Sequence, residues 1–136
     1  MNAPRRALPR STPTTPTTPT AAQLAGRGAE LEARRLLEDA GLRFVAANAR
    51  YKVGEIDLVM TDGATFVFVE VRSRVSSTFG GAAGSIDQRK RLRLQRAANR
   101  FLLESFGQRA WPACRFDVIA FEAGSPNWIK SAFESS

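Results

Sequence analysis

Two apolar runs rich in β-branched residues meet at Asp62-Gly63 and give the chain its clearest pattern. From Gly54 to Arg74 it reads G-E-I-D-L-V-M-T-D-G-A-T-F-V-F-V-E-V-R-S-R, and Asp-Gly between such runs predicts a β-hairpin. With Thr61 and Ala64 closing the turn, Glu55 faces Glu70, Asp57 faces Phe68 and Val59 faces Phe66. Side chains alternate along a strand, so Glu55, Asp57, Glu70 and Arg72 share one face, while Ile56, Leu58, Val67, Val69 and Val71 share the other. Asp57 and Glu70 become diagonal cross-strand neighbours, roughly 7–8 Å apart at the backbone, close enough to converge on a cation. The same residues also suit a sheet with one solvated face. Against that reading, Phe66 and Phe68 share the charged face, and Phe66 to Val71 is apolar almost throughout, like a strand covered on both sides.

Helical spacing of Ala29, Ala33, Leu36, Leu37 and Ala40 predicts a helix from a Thr20 cap, with Gln23 reciprocating, to Gly41. Glu30 flanks its apolar stripe. Leu42 to Arg50 reads as a strand. A second helix from about Ile86 to Phe106 buries Leu94, Ala97, Ala98, Phe101 and Leu102 and carries Arg89, Arg93, Arg96 and Arg100 along another face. That arginine row suits either solvent or a phosphate backbone. Lys90 falls on the row of Leu94, Ala97 and Phe101 and is expected to point inward toward the carboxylates. Arg115 to Phe121 reads as a further strand, with Asp117 in a structural or site-supporting role. Asn127 to Phe133 is a short final strand or a docking segment, with Trp128 packed on the core.

Between hairpin and second helix, Ser73 to Ser85 is expected to be a Ser/Gly-rich loop. It acts either as a flap that brings Arg74 to a phosphate backbone or as an ordinary connection. Residues 1–20, with their S-T-P-T-T-P-T-T-P-T repeat, have too few apolar side chains to offset ordering and predict a disordered tail. Arg5, Arg6 and Arg10 without an acidic neighbour resemble a transit peptide, and a misplaced start codon explains them equally well. Residues 21–136 then form a single domain.

Composition narrows the chemistry. The chain has no histidine and one cysteine, which excludes Ser-His-Asp and Cys-His catalysis, thiolate zinc sites and an internal disulfide framework. Cys114 is expected to be a small core residue. Only oxygen ligands remain, so a bound metal should be a hard cation, Mg²⁺ or Mn²⁺. The formal net charge of +7, from 20 Lys+Arg against 13 Asp+Glu, favours nucleic acid as partner. No apolar run is long enough to span a bilayer, and a cytoplasmic location is expected.

Several segments together carry a specific resemblance: G-R-G-A-E-L-E-A, N-A-R-Y-K-V-G-E-I-D-L-V, F-V-F-V-E-V-R-S-R, then F-G, Lys90 and R-F-D-V. The chain resembles the YraN-type family of small endonuclease-like proteins, which are similar to Holliday junction resolvases and to the restriction-endonuclease-like superfamily. The resemblance implies an α/β fold, with a central mixed β-sheet flanked by helices and a metal site on the hairpin. Asp57 and Glu70 match the acidic members of the superfamily motif, and Glu30 matches a helix glutamate that completes or supports the site. Glu55 is the G-E-I-D glutamate, with no assigned role. Arg72 stands where the superfamily has lysine. Arginine stays protonated and cannot be a general base, but it can hold a phosphoryl oxygen.

The expected function is divalent-metal-dependent nuclease action. Asp57, Glu70 and Glu30 would hold Mg²⁺ or Mn²⁺, the ion activating water and neutralising phosphate charge. Arg72 and Lys90 would contact the phosphoryl group, and Arg74, Arg89, Arg93, Arg96 and Arg100 would follow the backbone, DNA being favoured over RNA. The alternative is a nucleic-acid-binding module of the same fold without turnover. Resolvase-like relatives make a homodimer a reasonable expectation.

Overall fold

The computed structural model describes residues 21–74 and 86–133. Within them the order is α1 (Ala21–Asp39), β1 (Arg43–Tyr51), β2 (Gly54–Asp62), β3 (Thr65–Arg74), α2 (Gln88–Phe106), β4 (Cys114–Glu122) and β5 (Ser125–Phe133). The strands form one five-stranded sheet in sequential order. β3 and β4 run parallel and the other neighbours antiparallel. A parallel pair needs a crossover, which α2 supplies. The chain thus adopts the α/β fold with a mixed central sheet flanked by helices that the restriction-endonuclease-like resemblance implies. The tail at 1–20, its Thr20 cap and the loop residues 75–85 lie outside the described residues, whereas Ser73 and Arg74 belong to β3 rather than to a loop.

Each helix covers one face of the sheet. Ala33 and Leu37 of α1 pack with Leu58, Met60, Val67, Val69, Ile119 and Phe121. Leu94, Ala97, Ala98 and Leu102 of α2 pack with Ile56, Val59, Phe68, Phe116 and Val118. β3 feeds both clusters, which is why its sequence is apolar on both sides. α1 ends where Leu42 N–H donates to the Leu37 carbonyl at 3.0 Å and Gly41 N–H to Glu38 at 3.0 Å, with Gly41 at φ 101. This is a Schellman termination. Ala40 therefore lies past the helix and is exposed instead of joining the stripe. α2 starts at Gln88, two residues later than the pattern suggests, because Asp87 caps it by accepting from Lys90 N–H at 2.9 Å.

The hairpin forms with its register displaced. Asp62 pairs with Thr65, Thr61 with Phe66 and Leu58 with Val69, so Gly63-Ala64 makes the two-residue turn instead of Asp62-Gly63. Gly63 has φ 61 and Ala64 is absent from the positive-φ residues, as a type II′ turn with glycine first requires. Two further positions depart from expectation. Cys114 is exposed, not core, because it opens β4 ahead of the covered stretch that begins at Phe116. Ile56 lies under α2 while Leu58 lies under α1, so the pleat breaks between them.

Two contacts fix the layers. A Cβ on Gly54 would fall on the Arg93 carbonyl oxygen and 2.9 Å from its carbon, so α2 rests against bare backbone at the start of β2. On the other side of the sheet the Asp117 carboxylate is 1% exposed and accepts from Arg115 Nε at 3.1 Å, Trp128 Nε1 at 2.9 Å and Ser131 N–H at 3.0 Å. Arg115 also reaches Asp62 at 2.9 Å, tying the hairpin turn to β4. Asp117 thus has a structural role, binding β5 to β4 across a register shift between Phe116 and Val118.

Gly54→Ala is expected to lower stability by about 2–3 kcal/mol through forced displacement of α2. Asp117→Ala, which removes the buried acceptor of three part-buried donors, should cost about 2–3 kcal/mol. Denaturant titration of both variants checks these values, and wild-type midpoints would contradict the packing described.

Candidate functional site

The site grows from the pleat break. Asn48 in β1 takes φ 53, a left-handed conformation that asparagine tolerates better than most residues. The regular β1–β2 pairing skips Asn48 and Asp57, running from Ala47↔Leu58 to Ala49↔Ile56. On the other edge of β2, pairing with β3 ends at Leu58↔Val69. Asp57 therefore sits where β2 loosens from β3, and its Oδ2 accepts from Val71 N–H at 2.8 Å. The side chain takes the place of a missing ladder bond. Continuing the register sets Asp57 opposite Glu70, closer than the diagonal relation expected from the sequence.

Two carboxylates meet there with little water around them. Glu70 is 6% exposed. Burial first, then the adjoining Glu70 charge, raises the Asp57 carboxyl from 3.8 to about 7, partly opposed by the Val71 N–H bond. Glu30 also lies above the usual carboxylate range, chiefly through burial, against a lowering hydrogen bond from Asn48. Each carboxyl reports the same condition: negative charge is crowded where solvent cannot fully relieve it.

The two sides of this pair differ. Toward α1, a cleft of about 470 Å³ is lined by Gly26, Arg27, Glu30, Asn48, Arg50, Glu55 and Asp57. Glu55 pairs with Arg50 at 3.5 Å. Toward α2, a second cleft of about 260 Å³ is lined by Arg72, Asp87, Arg89, Lys90 and Arg93. Lys90 Nζ lies 3.1 Å from Glu70 Oε2, and Arg72 Nη1 lies 3.9 Å from the same oxygen. Lys90 does point inward, as its place on the apolar row suggests. The charge does not all occupy one face: Glu30 and Glu55 open on the α1 side, Arg72 and Lys90 on the α2 side, and Asp57 with Glu70 bridges them.

The remaining residues divide by position. Arg89, Arg93, Arg96 and Arg100 are all exposed along α2, with Arg100 3.8 Å from Glu104. Arg74 closes β3 opposite Glu122. Asp117 contacts none of the site carboxylates and serves the β4–β5 junction. Asn48, Arg50 and Arg27 are site residues that sequence reading passed over. The signals that could have found them are an asparagine in the middle of a strand for Asn48 and, for all three, their place in the G-R-G-A-E and N-A-R-Y motifs. Among the described residues, no group of three or more acidic or cysteine side chains is arranged to hold a metal ion. The nearest approach to a ligand set is the Asp57–Glu70 pair with Glu30 behind it. No helix among the described residues is long and apolar enough to cross a membrane.

Comparison with known proteins agrees with the motifs. Residues 29–121 match the pattern of the family described as "Uncharacterised protein family UPF0102". A UPF0102 protein of Bordetella petrii is 48% identical over 135 residues, covering 96% of this chain and 77% of its own length. Another, from Xanthomonas oryzae pv. oryzae, is 50% identical over 117 residues, covering 85% of this chain and 95% of its own. A Klebsiella pneumoniae relative is 50% identical over 104 residues, 76% of this chain and 81% of its own. The crowded hairpin carboxylates, Glu30 and the inward Lys90 all fall within the matched span, and the chain belongs to the UPF0102 family, the YraN-type group its motifs indicate.

Proposed function

We propose that this protein is a divalent-metal-dependent nuclease acting on nucleic-acid phosphodiesters, with branched DNA among its candidate substrates. The observation that carries the reading is the close pairing of half-buried Asp57 with buried Glu70. Two carboxylates that crowd each other out of solvent favour a shared proton or a shared cation. Their oxygen donors fit Mg²⁺ or Mn²⁺, which binds through one or two carboxylates together with water and substrate phosphate. Asp57 and Glu70 would hold the ion, and Glu30 would support it from α1. Bound there, such an ion supplies charge neutralisation and water activation for hydrolysis.

The chain's own groups do the rest. Arg72 and Lys90 border the basic cleft next to Glu70, where they can orient a phosphoryl group and stabilise its developing charge. Arg89 and Arg93 extend that surface, so a strand entering the cleft meets positive charge before it reaches the carboxylates. Arg72 cannot accept a proton, which leaves proton acceptance to the carboxylates or to solvent.

A second reading has its own support. Lys90 and Arg72 both converge on Glu70, and this internal neutralisation suits a nucleic-acid-binding module that has given up turnover. Salt-sensitive binding that ignores both Mg²⁺ and Asp57 would favour it.

In a screen of branched, single-stranded and duplex substrates with Mg²⁺ or Mn²⁺, cleavage of at least one form is expected, falling by about 100-fold or more in Asp57→Asn and Glu70→Gln. Undiminished cleavage in either variant removes the ligand assignment. A second expectation concerns stability. Asp57 releases its proton near 3.8 when unfolded and at about 7 when folded, so its contribution is complete below the lower value and is lost as pH climbs toward the upper one. Metal-free protein should therefore melt at lower temperature near pH 8 than near pH 5, with added Mg²⁺ restoring part of the loss. Asp57→Asn should flatten this dependence and gain about 1–3 kcal/mol at the alkaline end. Calorimetry of both proteins provides the check, and identical pH profiles would contradict it.

A further inference from the structure

Farther along α2 lies a groove of different chemistry, about 360 Å³, lined by Val53, Arg96, Asn99, Arg100, Leu103 and Trp111. Three of these are large apolar side chains left open to solvent: Val53 at 36%, Leu103 at 48% and Trp111 at 41%. The indole is held in place, because Trp111 Nε1 donates to the Gly107 carbonyl at 3.0 Å. With its one donor used inside the chain, the ring offers an aromatic face and nothing that reads hydrogen bonds.

The surroundings select the occupant. Arg96 and Arg100 border the groove and continue the row whose other members, Arg89 and Arg93, line the basic cleft next to Glu70. From Arg89 to Arg100 the helix advances about 16 Å, the reach of a few nucleotides of extended strand. An aromatic face on an apolar floor, bordered by guanidinium groups, suits a nucleobase whose phosphates follow the positive row. Bases within an intact duplex are already stacked on one another, so only an unpaired base can lie on the ring.

We infer that the groove of Val53, Leu103 and Trp111 is a stacking subsite for an unpaired base of single-stranded nucleic acid whose backbone follows the arginine row of α2 toward Glu70. The inference rests on the nucleic-acid partner of the proposed function and is independent of its cleavage step. Binding is measured without divalent metal, so absence of cleavage and absence of this subsite are separate results. With an oligothymidine strand and a blunt duplex of equal length as probes, Trp111→Ala should weaken single-strand binding roughly ten-fold and leave duplex binding within about two-fold, while Trp111→Phe should keep most of the affinity. Oligothymidine should quench the intrinsic fluorescence of the wild type. It should not quench Trp111→Phe, in which Trp128 is the remaining indole. Equal losses on both probes, unchanged single-strand binding in Trp111→Ala, or a concentration-dependent self-association that Trp111→Ala abolishes with no effect on oligothymidine would each overturn the assignment.

Discussion

The repulsion between two neighbouring carboxylates organises this molecule. Asp57 and Glu70 stand across the gap where β2 leaves β3, a crowded meeting in which Glu70 is buried and Asp57 half-buried. Three local irregularities make it possible: the left-handed Asn48, the break in pleat from Ile56 to Leu58, and the Asp57 side chain taking the Val71 N–H in place of a backbone acceptor. Each costs regular strand geometry, and the surrounding core holds them in place. Central β3 is buried against both helices, and the Asp117 network joins β5 and Arg115 to the same sheet. A strained centre persists when its frame is this over-determined.

Charge is divided across that centre with a clear polarity. Acidic groups and their arginine partners open toward α1, while Lys90, Arg72 and the first arginines of α2 open on the other side. The bare Gly54 backbone sets how near α2 can come, and hence how near Lys90 lies to Glu70. Packing and electrostatics are thus one design here: the helix that seals the core also carries the positive charge that faces the carboxylates.

Much of this was legible in the sequence because its cues were local. The Asp-Gly region, the two helical stripes and the apolar density of Phe66 to Val71 produce the expected elements in the expected order, and Lys90 points inward as its place on the apolar row implies. The hairpin register was not legible, since Asp62-Gly63 and Gly63-Ala64 are both acceptable turns, and the choice depends on pairing along the whole strand. The shift preserved the parity of the faces, which is why Asp57 and Glu70 still meet. The split of charge between two faces required knowing that the pleat breaks at Asn48 and Asp57, a tertiary effect visible beforehand only as an asparagine in a strand. Cys114 is exposed in spite of its apolar strand setting because it opens β4, and cover along that strand begins at Phe116.

The irregularities also shape how this sheet meets other chains. β1 and β5 are its outer strands, and an outer strand that stays flat invites another to pair with it. Here β1 shifts register between Phe44 and Ala46 and turns left-handed at Asn48, while β5 shifts opposite Phe116 to Val118, begins with Ser125-Pro126 and turns left-handed at Ser131. Neither border offers an unbroken run of backbone donors and acceptors. The kink beside Asp57 therefore also interrupts the edge along which a strand of another chain could pair.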